Sequence, residues 1–160
     1  MTCITEITLP FADGEYRFGF KLPQVRELES NGPVMLGLAW HLQQSIGIDD
    51  AGRAFYAGGT NAEVKGIRET IRLALIGGNL ATVDGLQSEV GPQRAKELLE
   101  DYVFPARPLA EAAALAWHIL AVQIYGNDHA MFAKPASSDA PAEEPGASVE
   151  SRSREASTNA

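Results

Sequence analysis

The sequence predicts an α+β domain, an N-terminal β-hairpin packed on about five α-helices, followed by a disordered C-terminal tail. Three observations lead there. Residues 7–21 alternate apolar and polar side chains about an Asp-Gly pair. Apolar residues then recur at helical spacing between proline starts and glycine stops. After Phe132 large apolar residues almost vanish.

The hairpin is read from "ITEITLPFADGEYRFGFKL". Asp13-Gly14 is a strong signal for a type I′ turn. A turn there pairs Phe11 with Tyr16, Leu9 with Phe18 and Ile7 with Phe20, all on one face. Thr8, Pro10, Arg17, Gly19 and Lys21 take the other face. Pro10 cannot donate to a ladder, which puts the first strand at a sheet edge. A lone hairpin is marginal in water, so its aromatic face requires a cover, which the helices supply.

The helices follow in order. Pro23 starts a short one through Glu29, stopped by Asn31-Gly32. Pro33 starts the next, with Met35, Leu38, Leu42 and Ile46 inward and Gly47 as its end. "IDDAGRAFYAGG" reads as a loop or a short strand. Thr60-Asn61-Ala62-Glu63 has the form of a capping box. It opens a helix whose apolar stripe is Val64, Ile67, Ile71, Ala74 and Leu75. Lys65, Arg68, Glu69 and Arg72 lie on its solvated side, and Gly77-Gly78 supply left-handed positions to end it. "ATVDGLQSEVGPQRA" reads as a link into a helix from Pro92, with Ala95, Leu98, Leu99 and Tyr102 inward and Pro105 as a break. The last helix runs from Pro108 to Gly126 and is apolar nearly all round. A helix of that kind is either central to the core or shared with a partner.

The chain has 160 residues, enough for one domain and a tail. The division falls at about residue 130: a small α+β domain over 1–130, and an Ala/Ser/Pro/Glu-rich tail over 131–160. That tail cannot bury enough apolar surface to offset its chain entropy. Net charge is −8 for the chain, and −6 for residues 1–130, which carry 10 basic and 16 acidic residues. An acidic balance argues against nucleic acid and anionic lipid as partners. A single cysteine, Cys3, excludes an internal disulfide and fits a reducing compartment. No basic segment followed by an apolar run opens the chain, so no signal peptide is expected. The apolar run at Ala112–Tyr125 falls short of the ~18–20 residues of a membrane span. A soluble cytoplasmic protein is the expectation.

Nothing in the sequence assembles into a catalytic or cofactor site. His41 and His118 lie inside helices without an acidic or histidine neighbour at i+3 or i+4, so no metal pair forms. Asp128-His129 lies where the tail begins and reads as tail. Asp49-Asp50 and Glu100-Asp101 are adjacent carboxylates, which do not converge on one cleft. "AGGTNAEVKG" puts glycines before a helix but lacks the Lys-Ser/Thr of a Walker loop. The expectation is no enzyme, no cofactor and no metal.

The ordered motifs carry a resemblance. "LPFADGEYRFGFKLPQVRELE", "VKGIRETIRLALIGG" and "YVFPARPLAEAAALAWHIL" together resemble a small bacterial family encoded in gene transfer agent and prophage tail clusters. That family is described as phage tail tube or tail assembly chaperone protein. The last block resembles its "Y-V-x-x-R-P-L-x-E" motif, with one more residue between Val103 and Arg107. The chain departs from the pattern at Asp49–Thr60 and in "ATVDGLQSEVGPQRA". The resemblance implies tail assembly, with the tape measure protein and other tail proteins as partners and homo-oligomers as a further option. One hairpin and about five helices suit a chaperone better than the β-sandwich of a tube wall. The candidate partner-binding residues are Trp117, Leu120 and Ile124 on the last helix, at i, i+3 and i+7, and Arg68 and Arg72 on the central one. Core packing and a solvated face are the competing explanations for these two sets.

Overall fold

The computed structural model describes residues 5–59 and 62–127. The tail, Cys3, His129 and the Thr60-Asn61 start of the expected capping box lie outside the described residues. The fold is α+β. In chain order the elements are β1 (Ile7–Phe11), β2 (Gly14–Phe18), α1 (Leu22–Asn31), α2 (Met35–Gln43), β3 (Ile46–Ile48) and β4 (Ala54–Tyr56). There follow α3 (Val64–Gly78), β5 (Leu80–Val83), β6 (Leu86–Ser88), α4 (Pro92–Tyr102) and α5 (Leu109–Tyr125). One antiparallel sheet has the order β1-β2-β5-β6, and β3 and β4 form a separate two-stranded ribbon.

The first hairpin forms with a different register. Phe11 pairs with Gly14 and Leu9 with Tyr16, so the two-residue loop is Ala12-Asp13, not Asp13-Gly14. A shift of two residues leaves every side chain on its expected face. Tyr16, Phe18 and Phe20 are buried and Phe11 meets the first two edge-on, with ring centroids 5.6 Å apart in each pair. Gly14 serves another purpose than the turn: a Cβ there would lie 2.3 Å from the Thr82 carbonyl oxygen of β5. Asp13 is held by a 2.6 Å hydrogen bond from the Tyr16 hydroxyl and a 3.2 Å ion pair with Arg94.

The second hairpin, β5–β6, is one the link reading did not contain. Asp84 and Gly85 both take positive φ (53° and 80°) between paired Val83 and Leu86, as a type I′ turn requires. The ribbon β3–β4 replaces the last turn expected of the second helix. Ser45 donates back to the Leu42 carbonyl through both its N–H (2.9 Å) and its hydroxyl (3.0 Å), which closes α2, and Ile46 then pairs with Tyr56. At the start of α3, Glu63 occupies the N-cap position and Val64 is exposed, outside the buried stripe.

The C-terminal end of α3 explains its two glycines. They do not supply the left-handed residue; Asn79 does, at φ 52° and ψ 38°. Gly77 and Gly78 are buried inside the helix, where the backbone after β2 crosses directly over them. A Cβ on Gly77 would sit 2.2 Å from the Gly19 carbonyl oxygen, and one on Gly78 would sit 2.0 Å from that of Arg17. The contact is also hydrogen-bonded. Gly19 N–H donates to the Ala74 carbonyl at 3.1 Å. Arg17 Nε donates to the Gly78 carbonyl and Lys21 Nζ to that of Gly77, both at 2.9 Å. These carbonyls have no acceptor role left within the helix, and both donors bring positive charge to its negative end.

From this seat α3 packs on β2, α5, α4 and α1, while α5 packs in turn on α2 and β4. The helix that looked apolar all round is therefore central: Ala112, Ala113, Ala116, Trp117, Ile119, Leu120, Ala121 and Val122 are buried. Gln123 ties α5 to the hairpin by accepting from the Phe20 N–H at 3.0 Å.

Gly78→Ala is expected to cost about 2–3 kcal/mol, because backbone must move to admit the methyl. Gly37→Ala in α2, where a Cβ meets nothing within 4 Å, is expected to stabilise by about 0.5–1 kcal/mol. Urea unfolding of the two variants measures both.

Candidate contact surface

The residues proposed from sequence as contacts are mostly occupied within the chain. Trp117 is 3% exposed and Leu120 is fully buried, while Ile124 is half-buried against the same core. Trp117 and Leu120 pack the interior, and Ile124 packs against it from the rim. Arg72 bridges α3 and α1, pairing with Glu69 at 2.8 Å and Glu27 at 2.9 Å. Its hydrogen bond to Glu69 is the largest reason its guanidinium is held more strongly protonated than usual. Arg68 donates to the Phe104 carbonyl in the turn before α5. Both arginines join elements of the fold.

Residues of the "YVFPARPLAE" stretch also have local work. Arg107 and Glu111 form a bidentate pair (2.9 and 3.1 Å) across the first turn of α5. Glu111 sits where the helix dipole favours an acid, and the Arg107 hydrogen bond lowers its pKa further. Beside them a cleft of about 450 Å³ lies between the hairpin tip, the end of α4 and the start of α5, with Phe11, Tyr102 and Leu115 in its wall.

Charged groups elsewhere pair to join elements of the fold. Among the described residues, no group of three or more His, Cys, Asp or Glu side chains is placed to hold a metal. No helix among them is long and apolar enough to cross a membrane. Asp49 accepts from the N–H groups of Ala51 and Arg53, so this acid organises the β3–β4 turn; the bond from Arg53 is the main cause of its lowered pKa. Burial pushes the His118 imidazole down, toward its neutral form.

The surface that stands out is on α2. Its sequence, MLGLAWHLQ, contains no Asp, Glu, Lys or Arg. Met35, Leu38, Ala39 and Leu42 are buried on one side. On the other side Leu36 is 65% exposed and Trp40 is 61% exposed, one turn apart, with Val34 at 59% just before the helix. Exposed apolar residues opposite a buried apolar side make this helix the candidate contact surface among the described residues. Trp40 meets the His41 ring at 5.6 Å, edge to face. Alongside runs a groove of about 520 Å³ lined by Pro33, Val34, Gly37, Leu38, His41 and Glu63.

The signal for this face was in the sequence. Met35, Leu38 and Leu42 make a complete inward stripe, and Leu36 and Trp40 are the large apolar residues left outside it on a segment with no Asp, Glu, Lys or Arg. Gly37 adds to it. Gly66, Gly77 and Gly78 are each explained by a near neighbour within the chain, at 3.0, 2.2 and 2.0 Å from a would-be Cβ, whereas Gly37 meets nothing. A glycine inside a helix costs about 0.5–1 kcal/mol relative to alanine, and here the chain's own packing gives no return.

No protein-family model, no curated protein and no solved structure matches this chain.

Trp40→Ala is expected to change stability by no more than about 0.5 kcal/mol, and Trp117→Ala to remove about 3–5 kcal/mol. Chemical denaturation of the two variants checks that one tryptophan belongs to the surface and the other to the core.

Proposed function

We propose that this chain is a non-enzymatic, phage-tail-like assembly protein, a tail assembly chaperone that binds the tape measure protein during morphogenesis of a prophage or gene transfer agent tail. The observation that carries the reading is the uncovered apolar side of α2, which gives a small chain a face for covering apolar surface on something else. The ordered blocks that resemble the tail family support the same direction. Binding of this kind needs no chemistry, only reversible burial at roughly 25 cal/mol per Å² of apolar area removed from water. Assembly would take place in the cytoplasm.

A second reading, a tube or connector subunit retained in the particle, is favoured by one observation. The outer edge of β6 is unpaired within the sheet and all three of its residues are exposed, so a neighbouring subunit could continue the sheet there.

Co-expression with the tape measure protein of the same gene cluster separates the two. The chaperone reading expects the tape measure to stay soluble and co-purify, and expects Leu36→Ser with Trp40→Ser to abolish this while the chain itself stays folded. An insoluble tape measure, together with abundant chain in purified particles, would establish the structural subunit instead.

A further inference from the structure

We infer that the α2 face is a docking site for a single α-helix of a protein partner, apolar where it meets Leu36 and Trp40 and carrying lysine or arginine where it meets Glu63. This rests on reading the α2 face as the chain's contact surface, and it states what kind of surface fits there.

The shape comes from Gly37. It lies between two raised sets of side chains, Leu36 and Trp40 on one flank and Val34 and His41 on the other. Its missing side chain leaves bare helix backbone at the centre, open to solvent. A helix laid over that point can approach more closely than over any other part of α2, and its side chains can fall to either side of the gap. That is the ridge-and-groove arrangement by which helices pack at 8–10 Å. An extended strand would gain nothing from it, since α2 has no free backbone donors along its middle.

The charge of the partner comes from Glu63 and from the lack of charge on α2. Glu63 lines the groove with Val34 and Gly37 and makes no ion pair with any described residue. The carboxylate of Glu29 is nearby, accepting from the Met35 N–H at 2.8 Å at the start of α2. Lys65, close in sequence to Glu63, is turned to the Asn31 carbonyl at 3.3 Å. A second copy of this chain would bring an uncharged α2, the same carboxylates and a net charge of −8. Packed α2 against α2, it places no lysine or arginine of that helix opposite Glu63. A basic flank on an otherwise apolar helix does place one there, and complementary charge of this kind fixes register and partner choice.

The full chain would be titrated with two synthetic helices of about 20 residues, long enough to be helical in water. Both carry the same leucine and alanine face, one with lysines along its flanks and the other with glutamates. Trp40 emission is the readout, because Trp117 is buried in the core and reports little. The lysine helix should bind with a blue shift, and the glutamate helix should bind at least about tenfold more weakly. Gly37→Leu should weaken the lysine helix about tenfold or more by filling the gap, with its unfolding midpoint showing that the chain is still folded. Glu63→Lys should reverse the preference between the two helices.

Equal binding of both helices, or lysine-helix binding unchanged in Gly37→Leu, would overturn the inference. So would a dimer of the chain through Trp40 that the lysine helix does not displace, which would make a second copy the occupant. The tape measure experiment fails separately. Helix binding that depends on Gly37 and Glu63, without rescue of the tape measure, would keep this site and remove the assembly role. Rescue unaffected by Gly37→Leu would do the opposite.

Discussion

The fold depends on one close backbone contact, the seating of the last turn of α3 beneath the residues that end β2. Nearly every other element is placed by it. The sheet meets the helices there, since β2 carries the buried face of the hairpin and pairs on its other side with β5. The helices meet the sheet there, since α3 packs on α1, α4 and α5. The contact is possible only because two successive helix positions lack a Cβ. It is held by hydrogen bonds that serve both partners: Arg17 and Lys21 extend from the strand side to satisfy carbonyls that α3 cannot satisfy itself. Glu6 pairs with the same two cations at 3.6 and 3.1 Å, so the end of α3, the hairpin and the chain before β1 share one charged cluster.

The consequence for function is a division of surfaces. With α3 and most of α5 consumed by the core, the contact surface proposed above lies on an element at the edge of the structure. That element, α2, packs chiefly on α5 and has only a light contact with α1. It is uncharged, and one side is left open. A chain that needed α2 only for its core would gain by placing charge on that side, since exposed Leu and Trp add nothing to its own stability and favour aggregation.

Much of the architecture was legible in the sequence, and the parts that were not share a cause. The inward face of the hairpin could be read because alternation survives a two-residue shift in register. The start and end of α5 could be read because Pro108 and Gly126 bracket an unbroken apolar run. The Asp-Gly dipeptide occurs in both hairpins of the sheet; it misled in one and went unread in the other. At Asp13-Gly14 it suggested the turn, but tertiary approach of Thr82 accounts for the glycine. At Asp84-Gly85 it is the turn, but the strands flanking it are short and β6 is exposed throughout, so no alternation marked them. Gly77-Gly78 at a helix end looks like a C-cap in one dimension. Only the carbonyls of Arg17 and Gly19, about sixty residues earlier, distinguish a cap from a crossing point. Trp117 and Leu120 were read as candidate contacts for a related reason, though both are buried. All-round apolarity was sought in the longest helix, where the core accounts for it, and not in the nine-residue α2, where it does not.

Hydrogen exchange of the chain alone and in complex with the tape measure protein tests the central claim most directly, because it reads every backbone amide without altering a residue. The account predicts added protection concentrated in Met35–Gln43 and the groove beside it, with β6 unchanged. Protection along β6 with α2 exchanging as in the free chain would contradict it.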